Sequence, residues 1–147
     1  MNGEQEVDQE MVAKAEAVIA GLRTAYLDWV AEDMRKLNVL FAEASAAPVA
    51  QRPAVMKAIF TIAHDVKGQG GSFGFDLMTL VGNQLCRIVE SREEWPDPAL
   101  GLVRRLLDGM GRVLDESLTG DGGEAGFSLL EELRQAVRDD GSPLTLT

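Results

Sequence analysis

AHDVKGQGGSFGF, residues Ala63 to Phe75, sets the only histidine of the chain, His64, ahead of four glycines packed into seven residues. A glycine in a helix interior costs about 1 kcal/mol relative to alanine, so Gly68, Gly70, Gly71 and Gly74 need a physical reason. One reason is a helix end, where glycine takes a backbone conformation closed to other residues; Gly74 fits that role as a C-cap. The other is clearance, since a missing side chain lets a second surface approach closely. Gly68 and Gly71, one and two turns after His64, fit clearance better.

Upstream, Pro53 is a good first-turn residue and opens the helix that carries the histidine. At 100° per residue, Val55, Ile59, Ile62 and Val66 cluster within about 60° and form the expected buried stripe. His64 falls away from that stripe. Phe60, Lys67 and Gly71 share its side, with Lys57 and Gly68 flanking.

The rest of the chain also reads as helix, because Leu, Ala, Glu and Arg dominate and strict alternation is scarce. A first helix is expected over about Asp8 to Ala44, with Val12, Ala15, Ile19, Leu22, Tyr26, Trp29, Val30, Leu37, Leu40 and Phe41 at helical spacing. Gly21 is a candidate break or bend in it, and SAAPVAQRP closes it. A third helix is expected over about Phe75 to Glu90, a fourth over about Pro98 to Leu118 and a fifth over about Phe127 to Arg138. SREEWPDP and TGDGGEAG read as loops, and the tail DDGSPLTLT as frayed. Short connections between amphipathic helices favour antiparallel neighbours. The expected fold is all-α: one domain, an antiparallel four-helix bundle with an additional N-terminal helical extension, its core spanning roughly residues 20 to 120.

Composition narrows the functions. The chain has 147 residues, is 46% hydrophobic and carries a net charge of −10. It can bury a core, and its acidity argues against nucleic acid or an anionic membrane as partner. No apolar run approaches the ~18 residues of a membrane span. The acidic opening MNGEQEVDQE lacks the basic and apolar regions of a signal peptide. One cysteine, Cys86, cannot close an internal disulfide, and a cytoplasmic protein is the expectation. One histidine and one cysteine cannot supply the usual nitrogen and sulfur ligands, so neither a metal nor a cofactor is expected.

An exposed imidazole with a lysine three residues on is suited to carrying a phosphoryl group. Neutral imidazole is a nucleophile, and an ammonium pairs with phosphate oxygens as a point charge. The machinery to take phosphate from ATP is missing: there is no P-loop pattern and no protein-kinase motif set. GQGGSFG follows a helix, whereas a dinucleotide fingerprint follows a strand. A self-contained kinase is therefore not expected.

The stretch resembles the phosphorylation motif of histidine phosphotransfer domains, H-x-x-K-G followed by small residues, an apolar residue and a glycine. It is most similar to the phosphotransfer domain of chemotaxis histidine kinases, through His64, Lys67, Gly68, Gly70, Gly71, Phe73 and Gly74. The resemblance implies a four-helix bundle phosphorylated at Nε2 of His64. It implies exchange of the phosphoryl group with receiver-domain aspartates of response regulators, downstream of a histidine kinase or hybrid kinase. It further implies that Lys67 supports the phosphoryl group, and that Gly68 and Gly71 leave room for the receiver; Phe60 and Lys57 join the docking surface.

One position departs from the pattern. Many members carry Gln or Glu 22 residues after the histidine, to hydrogen-bond its inner nitrogen; here that position is Cys86. Asn83 and Glu90, one turn to either side, are the substitutes to consider.

Three rivals stand beside this reading. His64-Asp65 matches the dipeptide of metal-dependent phosphohydrolases, which need further histidines that this chain lacks. A helical interaction module could bind receiver domains without transfer. A structural bundle with an N-terminal coiled-coil arm is the third; no dedicated dimer helix is evident, so a monomer is expected.

Overall fold

A computed structural model describes residues 3–146. It is an all-α bundle of five helices: α1 (Gly3–Ala46), α2 (Arg52–Gly70), α3 (Asp76–Glu90), α4 (Asp97–Asp115) and α5 (Gly123–Asp140). Single 3₁₀ turns, Val49–Gln51 and Gly71–Phe73, precede and follow α2. The C-terminal half of α1 packs on α2 and α4, α2 on α3, and α3 on α4, which closes a four-helix ring; α5 lies against α4. Tyr26, Leu37, Met56, Ile59, Leu85, Ile88, Leu106 and Met110 are among the side chains sealed inside it.

Each closure has a local cause. Arg52 is buried, and its guanidinium donates to the carbonyls of Ala44 (3.0 Å), Ala47 (3.3 Å) and Trp95 (2.8 Å). It thereby satisfies the open carbonyls at the end of α1 and ties that corner to the start of α4. Its ion pair with Asp97, whose carboxylate is largely exposed, adds little beside those bonds. At the other end of α2, Gly74 takes φ +85° in the left-handed region and turns the chain into α3, as the C-cap reading expects.

Several expectations are corrected. α1 begins at Gly3 rather than near Asp8 and runs through Gly21 unbroken. Val12, Ile19, Leu22 and Trp29 have helical spacing but lie on the surface, because no described residue covers them; every residue from 3 to 24 is exposed. On α2 the buried stripe is Met56, Ile59, Ala63 and Val66, with Val55 and Ile62 only half-buried at its edge. α4 ends at Asp115 rather than Leu118, and α5 starts at Gly123, taking GEAG from the expected loop.

The tail is not frayed up to Leu146, which is buried; Thr147 lies outside the described residues. The buried Gln84 side chain on α3 holds the tail. Its amide donates to the Pro143 carbonyl (2.8 Å), and its Oε1 accepts from the Thr145 and Leu146 amides (2.7 and 3.2 Å). A composition of Ser, Pro and Thr cannot reveal this anchor, since it sits about 60 residues upstream.

Candidate functional site around His64

The half-turn between the buried stripe and the outer face of α2 presents the candidate site. Taking the mean direction of Met56, Ile59, Ala63 and Val66 as the helix's inner side, His64 stands about 120° round and Lys67 about 60° round, towards α3. His64 is exposed, and its ring centroid lies 5.9 Å from that of half-buried Phe60, one turn back. Among the described residues no side chain hydrogen-bonds the imidazole.

Lys67 is held in place. Its Nζ donates to Asn83 Oδ1 (3.1 Å), across the α2–α3 seam. The backbone beneath it is fixed as well: the Thr79 hydroxyl donates to the Lys67 carbonyl (2.8 Å) and accepts from the Gly71 amide (3.0 Å). That one hydroxyl satisfies an open carbonyl and an amide where α2 tightens into a 3₁₀ turn. The helices approach closely here because α3 offers Gly82 to Lys67; a Cβ at Gly82 would sit 2.9 Å from Lys67 Cβ.

The candidate partners of the inner nitrogen therefore divide. Asn83 is engaged by Lys67 rather than by His64. Glu90 pairs with Arg87 (3.0 Å) on the surface. Cys86 is buried, and burial pushes its thiol pKa up, with the Lys67 ammonium pulling the other way. The thiol is thus a packed, protonated side chain beneath the lysine.

The glycines also divide. A Cβ at Gly70 would meet the Phe75 carbonyl oxygen at 2.9 Å and Met78 Cβ and Thr79 Oγ1 at 3.0 Å, so Gly70 is needed for packing. Gly74 is needed for its backbone angle. At Gly71 a Cβ would make ordinary contacts, 3.7 Å from Thr79 Oγ1, and at Gly68 it would meet nothing within 4 Å. Both are exposed, and the fold asks for glycine at neither.

Charge is uneven about the histidine. On the α1 side, Asp65 lies near Asp33, whose carboxyl is pushed up by burial first and by neighbouring Asp65 and Glu32 in addition, against the pull of Lys36. On the α3 side stands the Lys67 ammonium. Towards the start of α2, an open groove of about 740 Å³ runs between α2 and the end of α3. Its floor is Met56, Phe60, Val89 and Trp95, and Lys57 and Glu90 stand on its walls. Three residues singled out in the sequence, Phe60, Lys57 and Glu90, thus share one groove, and of these Phe60 also stands against the histidine ring. Thr79, Gly82 and the groove-lining Trp95 escaped the sequence reading; only the unexplained glycine at position 82, in the middle of a helix, offered a signal.

Among the described residues no cluster of histidine, cysteine or carboxylate side chains is arranged to hold a metal ion. No helix among them is long and apolar enough to cross a membrane. No protein-family description, characterised protein or solved structure matches this chain.

Proposed function

We propose that the chain is a histidine phosphotransfer protein, which passes a phosphoryl group between His64 and aspartates of response-regulator receiver domains. The observation that carries the reading is the pairing of an exposed imidazole with an adjacent strip, Gly68 and Gly71, that is bare without any internal packing need. A bare strip beside a nucleophile serves a reaction whose other half is carried by a second protein.

The chemistry follows from the residues. The neutral imidazole attacks the phosphorus of an aspartyl phosphate through Nε2. The new N–P bond forms as the P–O bond to the aspartate breaks, the aspartate leaves as carboxylate, and the Nδ1 proton stays on the ring. The reverse step returns the group to a receiver. Lys67, anchored by Asn83, offers positive charge on the α3 side of the imidazole, where the phosphoryl oxygens carry developing charge. The acidic α1 side, Asp33 and Asp65, disfavours the phosphoryl group there, which directs it towards Lys67. Phe60 and the groove beyond it give the receiver an apolar seat, with Lys57 at its wall. The reading is of a relay rather than a kinase, since the sequence carries no P-loop pattern and no protein-kinase motif set.

The test is transfer from a panel of receiver domains phosphorylated with acetyl phosphate. An acid-labile, alkali-stable phosphate is expected on the wild-type chain and none on His64→Gln. Lys67→Ala is expected to slow transfer while leaving the melting temperature nearly unchanged. Label surviving His64→Gln sinks the proposal. Tight receiver binding with no transfer at all would make the chain an interaction module instead.

A further inference from the structure

Seven of the ten large apolar side chains exposed among the described residues lie on the first two-thirds of α1: Val7, Met11, Val12, Val18, Ile19, Leu22 and Trp29. Every residue from 3 to 24 is exposed, so about 33 Å of helix projects from the bundle without a core of its own. These projecting turns lack the packed face from which helices in proteins draw most of their stability. The apolar residues are not scattered. Met11, Ala15, Val18, Leu22, Ala25 and Trp29 alternate spacings of four and three, the seam pattern of a coiled coil.

We propose that this arm pairs antiparallel with the arm of a second copy of the chain. The inference goes beyond the phosphotransfer reading and does not rest on it. Sliding two copies past one another in opposite directions gives a register in which Met11 faces Trp29, Ala15 faces Ala25 and Val18 faces Leu22, each pair occurring twice. Large residues meet large ones, and small meet small, so the helices keep one spacing along the whole seam.

Charge selects the direction. In this register Lys14 lies beside Asp28 of the second copy, and Glu4 reaches Lys36. Asp8 comes opposite Glu32, but the adjacent Arg35 already neutralises that carboxylate (2.6 Å). A parallel pair would instead stack Glu4 and Asp8 against their own copies and leave Asp28 without a base. The same acidic tip repels an anionic membrane. Gly21 also gains a reason: it has open space around it within one chain, yet it falls beside its own copy near the centre of the antiparallel seam, where a missing side chain lets the two backbones approach. The monomer expected from the sequence is replaced by a two-fold dimer with a bundle at each end.

Light scattering from about 1 to 100 µM, bracketing ordinary self-association constants, tests this on the full chain. The expected result is a mass approaching twice 15.9 kDa on concentration, with helix content rising alongside. Val18→Glu/Leu22→Glu is expected to stay at the monomer mass and lose arm helicity, while the bundle still melts cooperatively. Direction is read by oxidising a mixture of the Ala15→Cys and Ala25→Cys proteins, buried Cys86 being shielded. The mixed disulfide is expected to outpace either self-disulfide. A wild-type monomer at every concentration, a dimer indifferent to the double substitution, or faster self-disulfides each overturn the proposal. So does binding of the arm to phosphatidylglycerol vesicles in place of dimerisation.

Discussion

Gly68→Ala and Gly70→Ala are the same chemical change two residues apart on one helix, and the structure assigns them opposite signs. At Gly68 the new methyl enters open space on an exposed helical turn. Only backbone entropy is at stake, and alanine gains about 0.5–1 kcal/mol. At Gly70 the same methyl would sit 2.9 Å from the Phe75 carbonyl oxygen and 3.0 Å from Met78 Cβ. The first contact is with backbone that the turn cannot spare, since the Phe75 amide donates back to the Gly70 carbonyl at 2.9 Å. The start of α3 must move, and overpacking of this kind costs about 1–3 kcal/mol, more than the entropic gain. For a chain of this size each kcal/mol shifts the melting temperature by roughly 3 °C. Gly68→Ala is therefore expected to melt about 1–3 °C above wild type and Gly70→Ala several degrees below it, both followed by circular dichroism at 222 nm. Gly68→Gln adds the functional half: it is expected to keep the wild-type melting temperature and lose receiver binding and transfer. If Gly68→Ala destabilises as Gly70→Ala does, the position serves packing, and clearance for a second protein is the wrong explanation.

Three further outcomes follow from buried groups. Tyr26, the only tyrosine, is sealed in the core with no partner for its hydroxyl, and burial, with the Asp33 charge behind it, pushes its pKa up to about 12. An unfolded tyrosine ionises near 10, so as pH rises from about 10 to 12 the unfolded state sheds a proton that the folded state keeps, and stability falls by about 2–3 kcal/mol. Absorbance at 295 nm reads this residue alone, and Tyr26→Phe is expected to remove its share of the alkaline loss without weakening the fold at pH 7. Cys86, buried and with its thiol pushed up, is expected to resist iodoacetamide at pH 8 and react fully in guanidinium; rapid native alkylation would place it on the surface. Arg52→Met leaves three inter-helix carbonyls without their donor and is expected to cost at least about 2 kcal/mol in urea unfolding; a loss under 0.5 kcal/mol would deny the corner its anchor.

How far the sequence disclosed this molecule depends on the range of the interaction concerned. Helix α2, its proline start and its glycine stop were legible because each is local: Pro53 fixes its own φ, and Gly74 takes its own left-handed turn. The axis of the buried stripe was misplaced by part of a turn, because periodicity alone treats Val55 and Ile62 as equals of Met56 and Ala63. Which of them is sealed depends on where α1 and α3 lie, and a small alanine at position 63 lets a neighbour close over it. The same limit explains Asn83. Sequence spacing placed it one turn from Cys86 and within reach of the histidine, but the ammonium of Lys67 arrives first, because Gly82 admits the lysine's backbone to the α3 surface. A glycine on one helix thus decides which side chain its neighbour on the other helix can hold. Gln84 shows the longest range of all: one buried amide orders a tail that its own composition marks as loose. The arm of α1 inverts the pattern. Val12, Ile19 and Leu22 were legible at helical spacing, but apolar periodicity carries no label for whose interior it serves. A stripe that leaves Met11, Val18, Leu22 and Trp29 bare has the period of a core and no partner among the described residues of one chain; in the dimer we propose, the second copy is that partner.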